Sequence, residues 1–393
     1  NRIFLVGNCF DLAHDLPTKY EDFFNWYLKE RINSLKKEGT RISKDALCAF
    51  QLKNTTSYRS WNNFFLTAGD WLPECKPKEL ISYFVKNSDI FIVEFTPLFN
   101  RIFQSFQTKG WVDIENEYYI LLRSFLSRPE YASPAELNNE LDYIRLKLGE
   151  YLREVQNKYI TEDILNKDIR ELILEPFYQE DISIFALDDY NNLKKDTLSN
   201  SDIKFGKRIY RKKMLPSPEY IMAIDFNYTK TADMYMIDNP RYIVNHIHGH
   251  LNNLDSVIFG YGDELDINYN DLLRLNDNEY LRNIKSIKYL EADNYRKIIS
   301  FIESDIYQIY IMGHSCGNSD RTLMNALFEH RNCVSIKPFY YKSQDGNDNY
   351  QDIIQNISRN FTDMQLMRVR VVNKKYCEPL PQNEVGSVSQ IKG

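Results

Sequence analysis

The sequence predicts an α/β protein whose mostly parallel sheet is assembled from both ends of the chain. Residues 3–6 form a short apolar run that stops at Gly7, which is typical of a buried parallel strand. Beyond residue 216, similar runs alternate with segments of helical spacing, and this alternation favours a parallel sheet flanked by helices. The middle of the chain instead carries apolar residues three and four positions apart, as helices do. We therefore expect a Rossmann-like core from residues 1–32 and 216–377, a helical insertion at 33–215 and a C-terminal tail at 378–393.

The composition excludes several classes of protein. The chain has 393 residues, of which 43% are hydrophobic and 26% charged, as in globular proteins and unlike disordered chains. Its formal net charge of −6 is unsuited to coating nucleic acid or an anionic membrane. No apolar run approaches the roughly 20 residues of a membrane span, and a strand predicted from Arg2 leaves no room for a signal peptide. The six cysteines show no C-x-x-C spacing, so we expect a cytoplasmic protein.

At the start of the chain, the predicted order is strand, glycine-bearing loop and helix. We expect the helix to begin near Glu21, with Thr18 as its cap and Glu21 completing a capping box. This order places backbone N–H groups and a helix start where a phosphate could bind. Further helices are expected in the insertion at 78–106, 115–127, 134–158 and 160–178.

The second half of the chain is predicted to alternate between strands and helices. The expected strands are 220–226, 242–246, 256–259, 306–312, 334–341 and 365–372. The expected helices are 276–303, 320–330 and 350–357. A basic run at 204–213 precedes this part and is interpreted as a solvated surface.

Four polar segments each end or follow a predicted strand. They are residues 7–11, 226–229, 246–250 and 313–315. Ligands of open parallel sheets bind at the carboxyl ends of the strands, so we expect all four segments at one edge. Five of the six histidines fall in or beside them, namely His14, His246, His248, His250 and His314. Purely structural interpretations stay open, with Gly7 as a turn residue, Asp11 as a turn cap and His248 as a core histidine.

Two other patterns near these segments are similar to catalytic or metal sites. Residues 313–317 match G-x-S-x-G, but a hydrolase triad follows the order Ser, acid, His, and the only histidine after Ser315 is His330, which lies on an ordinary helix pattern. His246, His248 and His250 alternate and would face the same way on a strand, as a metal pair requires. No acidic or cysteine cluster completes a ligand set, so the sequence predicts no metal site.

Taken in chain order, these segments resemble the bacteriophage abortive-infection AbiH family. The residues that carry the resemblance are 7–14, 16–20, 22–23, 111–115, 226–229, 248–249 and 313–315. Cys9 and Asp15 stand where that family usually has glycine.

The same series of segments is also similar, more distantly, to the sirtuin-like NAD-binding fold. By that resemblance, Asn227 and His248 match the catalytic asparagine and histidine. Gly7, Asn8, Gly313 and Ser315 match the cofactor loops. Asp11, Thr18 and Thr229 are also expected to bind the cofactor, with Glu115, His250, His314 and Asp320 as additional candidates. Thr229 stands where sirtuins carry aspartate, the first loop has one glycine instead of two, and no zinc-ribbon cysteines are present, so protein deacetylation is not expected.

The resemblance implies an anti-phage effector that hydrolyses NAD to ADP-ribose and nicotinamide. Such chemistry needs an amide that places water or a ribose hydroxyl, for which Asn227 is suited, and a base near neutral pH, for which His248 is suited. Glu115 is interpreted either as a first-turn acid favoured by the helix dipole or as a group that faces His248 or a ribose hydroxyl.

Two other functions stay open. One is a nucleotide sensor that uses the same pocket without turnover, and the other is a metal-dependent nuclease or hydrolase. We expect a nucleotide as ligand, with NAD as a substrate, and either a second copy of the chain or a phage-derived trigger as partner. No metal, membrane or nucleic acid is expected.

Overall fold

The computed structural model describes residues 1–67, 76–108, 112–182, 216–236 and 239–383, with the backbone of four short strands between 199 and 214. Trp111, the side chains of the basic run at 204–213 and residues 384–393 of the predicted tail lie outside the described residues.

The chain forms two compact units. One consists of Asn1–Thr18, Leu152–Asn270 and Asn283–Gly393, and the other of Lys19–Tyr151 and Asp271–Arg282. The predicted domain boundaries lie after residues 32, 215 and 377, whereas these two units divide at other positions. The predicted boundaries stay predictions.

The first unit contains a five-stranded, fully parallel sheet, as the sequence predicts. Its strands are β1 (Arg2–Val6), β2 (Ile221–Asp225), β3 (Tyr242–His246), β4 (Tyr307–Met312) and β5 (Cys333–Phe339). They lie side by side in the order β3-β2-β1-β4-β5. That order is the one found in doubly wound dinucleotide-binding sheets, where the direction of progression reverses between the first and fourth strands.

Helices cover both faces of this sheet. All residues of β1, β2 and β4 are buried, which explains why these strands are mainly apolar. Ile3 and Leu5 share an apolar cluster with α3 (Asn294–Ser304), α4 (Arg321–Phe328) and α5 (Tyr350–Arg359). Phe4 and Val6 point to the opposite face and pack with α1 (Asn8–Ala13) and α2 (Lys167–Leu174). The predicted α/β core is therefore confirmed.

The sequence predicted a helical insertion, but the second unit also contains strands. It contains an antiparallel sheet of Ile42–Lys44, Cys48–Leu52 and Phe91–Phe95. Its helices include Tyr20–Lys37, Trp61–Thr67, Pro77–Lys86, Pro97–Thr108, Ile114–Ser124 and most of Pro134–Tyr159. The predicted helix at 78–106 is therefore wrong, because Phe91–Phe95 pairs as a strand; short apolar runs fit either periodicity.

The backbone between 199 and 214 also forms strands instead of helix. Ser199–Asn200 pairs with Lys213–Met214, and Ile203–Phe205 pairs with Arg208–Tyr210, both antiparallel.

The first long helix, Tyr20–Lys37, begins close to the predicted Glu21, but its cap lies one residue later than predicted. Lys19, instead of Thr18, occupies the cap position, and its N–H donates to the carboxylate of Asp22 at 3.1 Å. The capping interaction is thus present but shifted by one residue, because Asp22 supplies the acidic group expected from Glu21.

Three later predictions are wrong for local reasons. No strand forms at 256–259; Leu254–Ser256 is a 3₁₀ turn, and the Ile258 N–H donates to the His248 carbonyl outside any ladder. The expected helix at 276–303 is broken into short pieces before α3, because the backbone is extended at Asp277, Ile284 and Ala292.

The expected strand at 365–372 is instead the helix Met364–Arg370. Asp363 starts this helix by accepting hydrogen bonds from the N–H groups of Gln365 and Leu366. None of the described helices is both long and apolar enough to cross a membrane.

Candidate functional site

The candidate site lies at the carboxyl edge of the core sheet. Gly7 follows β1, Phe226 follows β2, Ile247 follows β3 and Gly313 follows β4. Because all these strands run parallel, the four predicted segments share this edge. The strand order reverses between β1 and β4, the position where sheets of this type bind ligands.

At this switch point, two glycines bring the turns after β1 and β4 into close contact. A Cβ atom on Gly313 would lie 2.2 Å from the Phe10 nitrogen, and one on Gly7 would lie 2.6 Å from the His314 Cα. The N–H of Cys9 donates to the Gly313 carbonyl at 3.1 Å, and that of Phe10 to the Gly7 carbonyl at 2.8 Å. These glycines therefore serve close packing, and two of the N–H groups expected for a phosphate are already used within the protein.

Asn227 is held directly against this contact. Its side-chain Nδ2 donates to the Gly7 carbonyl at 3.1 Å, and its backbone N–H donates to Asp225 Oδ1 at 2.9 Å. Asn227 and Gly7, 220 positions apart in sequence, thus meet at the edge of β1 and β2.

Two buried carboxyl groups stand beside this pair. The Thr229 hydroxyl donates to Asp11 Oδ2 at 2.7 Å, so these two predicted ligand-binding residues bind each other. Burial, reinforced by Asp225, raises the pKa of Asp11 to about 7 although Thr229 opposes the shift. Burial also raises the pKa of Asp225 to about 6 against the influence of His246.

The three alternating histidines do not all face the same way, contrary to expectation, although the ring centroids of His246 and His250 lie 5.8 Å apart. Strand β3 ends at His246, and Gly249, with φ of 76°, turns the chain. His246 lies between Asp225 and Asp233 at 3.4 and 3.1 Å; these carboxylates outweigh burial and raise its pKa to about 10. His250 is exposed, whereas His248 is buried. Within the described ranges, no three His, Cys, Asp or Glu side chains are grouped to hold a metal ion.

His248 belongs to a buried group that we call the Asp320 cluster, formed by Asp320, His248, Lys285 and His314. Asp320 Oδ1 lies 3.1 Å from His248 Nε2 and accepts a 2.8 Å hydrogen bond from Lys285 Nζ. His314 Nε2 is 3.5 Å from the other carboxylate oxygen. The imidazole of His248, only 3% exposed as a residue, also contacts the Tyr289 hydroxyl at 3.2 Å.

Opposed effects set the charges in this cluster. Burial opposes ionisation of Asp320, but Lys285 and His248 hold its pKa well below the ordinary value. Burial and the charge of Lys285 lower the pKa of His248 to about 4, although Asp320 opposes the shift. At neutral pH the cluster therefore contains an aspartate and a neutral imidazole.

Comparison of the sequence with protein-family models identifies the family to which the chain belongs. The family model described as bacteriophage abortive infection AbiH matches residues 3–342. The chain belongs to the AbiH family. It is thus an abortive-infection protein of phage defence, as its motifs predicted. No curated protein and no solved structure matches the chain, so the sirtuin-like similarity stays a prediction.

The remaining predicted site residues of this AbiH protein are dispersed. Asn8 and Ser315 are exposed at the sheet edge, and Thr18 is buried with a hydroxyl that has no hydrogen-bond partner among the described residues. Glu115 is in the first turn of Ile114–Ser124 in the other unit, capped by Asp113. Its proposed approach to His248 concerns both units and stays a prediction.

Two residues at the AbiH site were missed from the sequence. Asp225 ends an otherwise apolar strand. An acidic residue at the end of a buried apolar run is a sequence pattern that indicates a site residue. Lys285 carried no such signal, because it lies in a segment of helical spacing and reaches Asp320 only through the tertiary fold.

Proposed function

We propose that this AbiH-family chain is the phage-defence effector that hydrolyses NAD to ADP-ribose and nicotinamide. One observation carries the proposal: Asn227 bonds to Gly7 at the switch point of the sheet, and the neighbouring segment carries His248 paired with Asp320. An amide that orients a nucleophile and a histidine held by a carboxylate are the two groups that this hydrolysis requires.

In the proposed reaction, water attacks the ribose carbon that bears nicotinamide. The carbon–nitrogen bond breaks, nicotinamide leaves with the bonding electrons, and the proton of the attacking water passes to His248. Asn227 positions the water or a ribose hydroxyl. Because His248 is neutral at physiological pH, it can accept this proton, although a base with a pKa near 4 is weaker than one near 7.

A nucleotide sensor without turnover is the second candidate. It is favoured by the burial of His248 and by the N–H groups of Cys9 and Phe10, which donate within the protein. A site with few free donors and a shielded base is better suited to recognition than to catalysis. The metal-dependent alternative gains no support from the described side chains.

The deciding experiment measures nicotinamide release from NAD and NADP by purified protein, alone and with extract of phage-infected cells. His248→Ala and Asn227→Ala are expected to lower the rate by about 10²-fold or more. His250→Ala is the matched control, since that histidine is exposed two positions from His248. Each variant is checked for an unchanged melting curve.

Three results would count against hydrolysis. Wild-type protein that binds NAD but releases no nicotinamide would support the sensor. Absence of both binding and turnover under all conditions would reject both candidates. Equal losses in the His248 and His250 variants, mimicked by a chelator, would favour the metal-dependent alternative.

A further inference from the structure

A fully buried lysine stands beside the proposed base. The Lys285 side chain is 0% exposed, and its ammonium group donates to the same Asp320 oxygen that lies next to His248 Nε2. The backbone fixes its position, because the Lys285 N–H donates to the Tyr261 carbonyl at 2.9 Å. Burying a lysine is unfavourable unless it is paired, and a buried ion pair adds little net stability. A role other than stabilisation is therefore worth testing.

The contacts of Asp320 also distinguish its two histidines. His314 Nδ1 accepts the backbone N–H of Cys316 at 3.0 Å, so the hydrogen of neutral His314 is on Nε2, facing Asp320. His248 likewise presents Nε2 to Asp320, and its contact with the Tyr289 hydroxyl is also made by Nε2. In His248, unlike His314, Nδ1 is therefore the ring nitrogen outside the described polar contacts.

We propose that Lys285 and Asp320 are positioning residues for His248. Lys285 keeps Asp320 ionised and in place, and Asp320 keeps the imidazole hydrogen on Nε2, which leaves Nδ1 as the acceptor. The inference rests on the proposed function, because it assigns His248 the role of base. The titratable and charged groups that face this imidazole are Asp320, Lys285 and His314, with the Tyr289 hydroxyl on Nε2 and the Tyr228 ring at a centroid distance of 6.4 Å.

The first test is independent of turnover. Protein labelled with ¹⁵N-histidine is studied by long-range ¹H–¹⁵N NMR, and His248→Gln assigns the signal. Wild-type His248 is expected to carry its hydrogen on Nε2 and to stay neutral to about pH 5. Lys285→Met removes a positive charge, so His248 is expected to titrate about one pH unit or more higher. Lys285→Arg keeps the charge and should restore the wild-type titration.

If Lys285→Met does not fold, Asp320→Asn decides the question, since it keeps the side-chain shape. Loss of the carboxylate is expected to allow a fraction of His248 to carry hydrogen on Nδ1. A wild-type hydrogen on Nδ1 would overturn the proposal. So would folded variants in which the tautomer and the titration of His248 are unchanged.

The second test uses kinetics. Lys285→Met is expected to lower kcat for nicotinamide release at least tenfold with little change in KM, and to shift the acid limb of the pH profile upward. A parallel loss of activity and melting temperature, with an unshifted profile, would indicate a purely structural lysine and overturn the proposal. If wild-type protein shows the predicted tautomer but no turnover, the proposed function fails while the positioning geometry stands.

Discussion

Replacing Gly313 with alanine adds a methyl group at a position where both the backbone conformation and the limited space favour glycine. Its φ of 85° is left-handed, and its Cβ would lie 2.2 Å from the backbone nitrogen of Phe10. The left-handed backbone costs about 1–2 kcal/mol for a residue with a side chain. Overpacking against backbone that cannot rotate away costs about 1–3 kcal/mol more. We therefore expect Gly313→Ala to lower the free energy of unfolding by about 2–5 kcal/mol.

Three other glycines of the same unit separate these contributions. Gly346 has φ of 91° but open space around its Cβ, so Gly346→Ala should cost only about 1–2 kcal/mol. Gly7 has ordinary backbone geometry but a 2.6 Å contact, so Gly7→Ala should cost about 1–3 kcal/mol. Gly317 has neither a left-handed backbone nor a close contact. The free energy of unfolding of Gly317→Ala should therefore lie within about 0.5 kcal/mol of that of wild type.

The assay is urea denaturation followed by circular dichroism, supported by melting curves. For a domain of this size, each kcal/mol lowers Tm by about 2–4 °C, so Gly313→Ala should melt about 4–20 °C below wild type. A Gly313→Ala loss equal to that of Gly346→Ala would refute the reasoning. It would mean that the turns after β1 and β4 separate at little cost, leaving Gly7 and Gly313 free for a ligand.

Two further predictions concern Asp11 and Cys9. The raised pKa of Asp11 means that its stabilising contribution is present below about pH 4 and is lost as pH rises through 7. Between pH 5 and 7, the free energy of unfolding of Asp11→Asn, measured by urea denaturation, should therefore rise by about 2–3 kcal/mol relative to that of wild type. A pH-independent difference would contradict this. The control is Asp15→Asn, since Asp15 is exposed. Cys9 is exposed beside Gly7, so saturating NAD should slow its alkylation by iodoacetamide, measured by peptide mass spectrometry. Unchanged alkylation of Cys9, with NAD binding shown separately, would place the ligand elsewhere.

The core sheet was predictable because its central strands β1, β2 and β4 are buried on both faces and are therefore mainly apolar. The run at residues 3–6 corresponds to β1, and the run before Met312 corresponds to β4. Their parallel direction then placed Gly7 and Gly313 at one edge without any knowledge of contacts. Family membership was also readable, because ordered motifs along the chain carry it.

Elements whose local pattern is ambiguous were decided by the fold. Phe91–Phe95 pairs with Cys48–Leu52, and a five-residue apolar segment does not reveal whether such a partner exists. The helix Met364–Arg370 depends on Asp363 as its cap, a signal that apolar periodicity alone does not contain.

The sequence determined which residue types stand at the sheet edge, but tertiary structure decided what each one contacts. Asn227 reaches a carbonyl 220 positions away, and Lys285 reaches an aspartate 35 positions away. Such contacts depend on strand order and on the course of the connecting segments. The same is true of the histidines: the chain turn after His246 exposes His250 and buries His248 against Asp320, a difference that their alternating pattern does not encode.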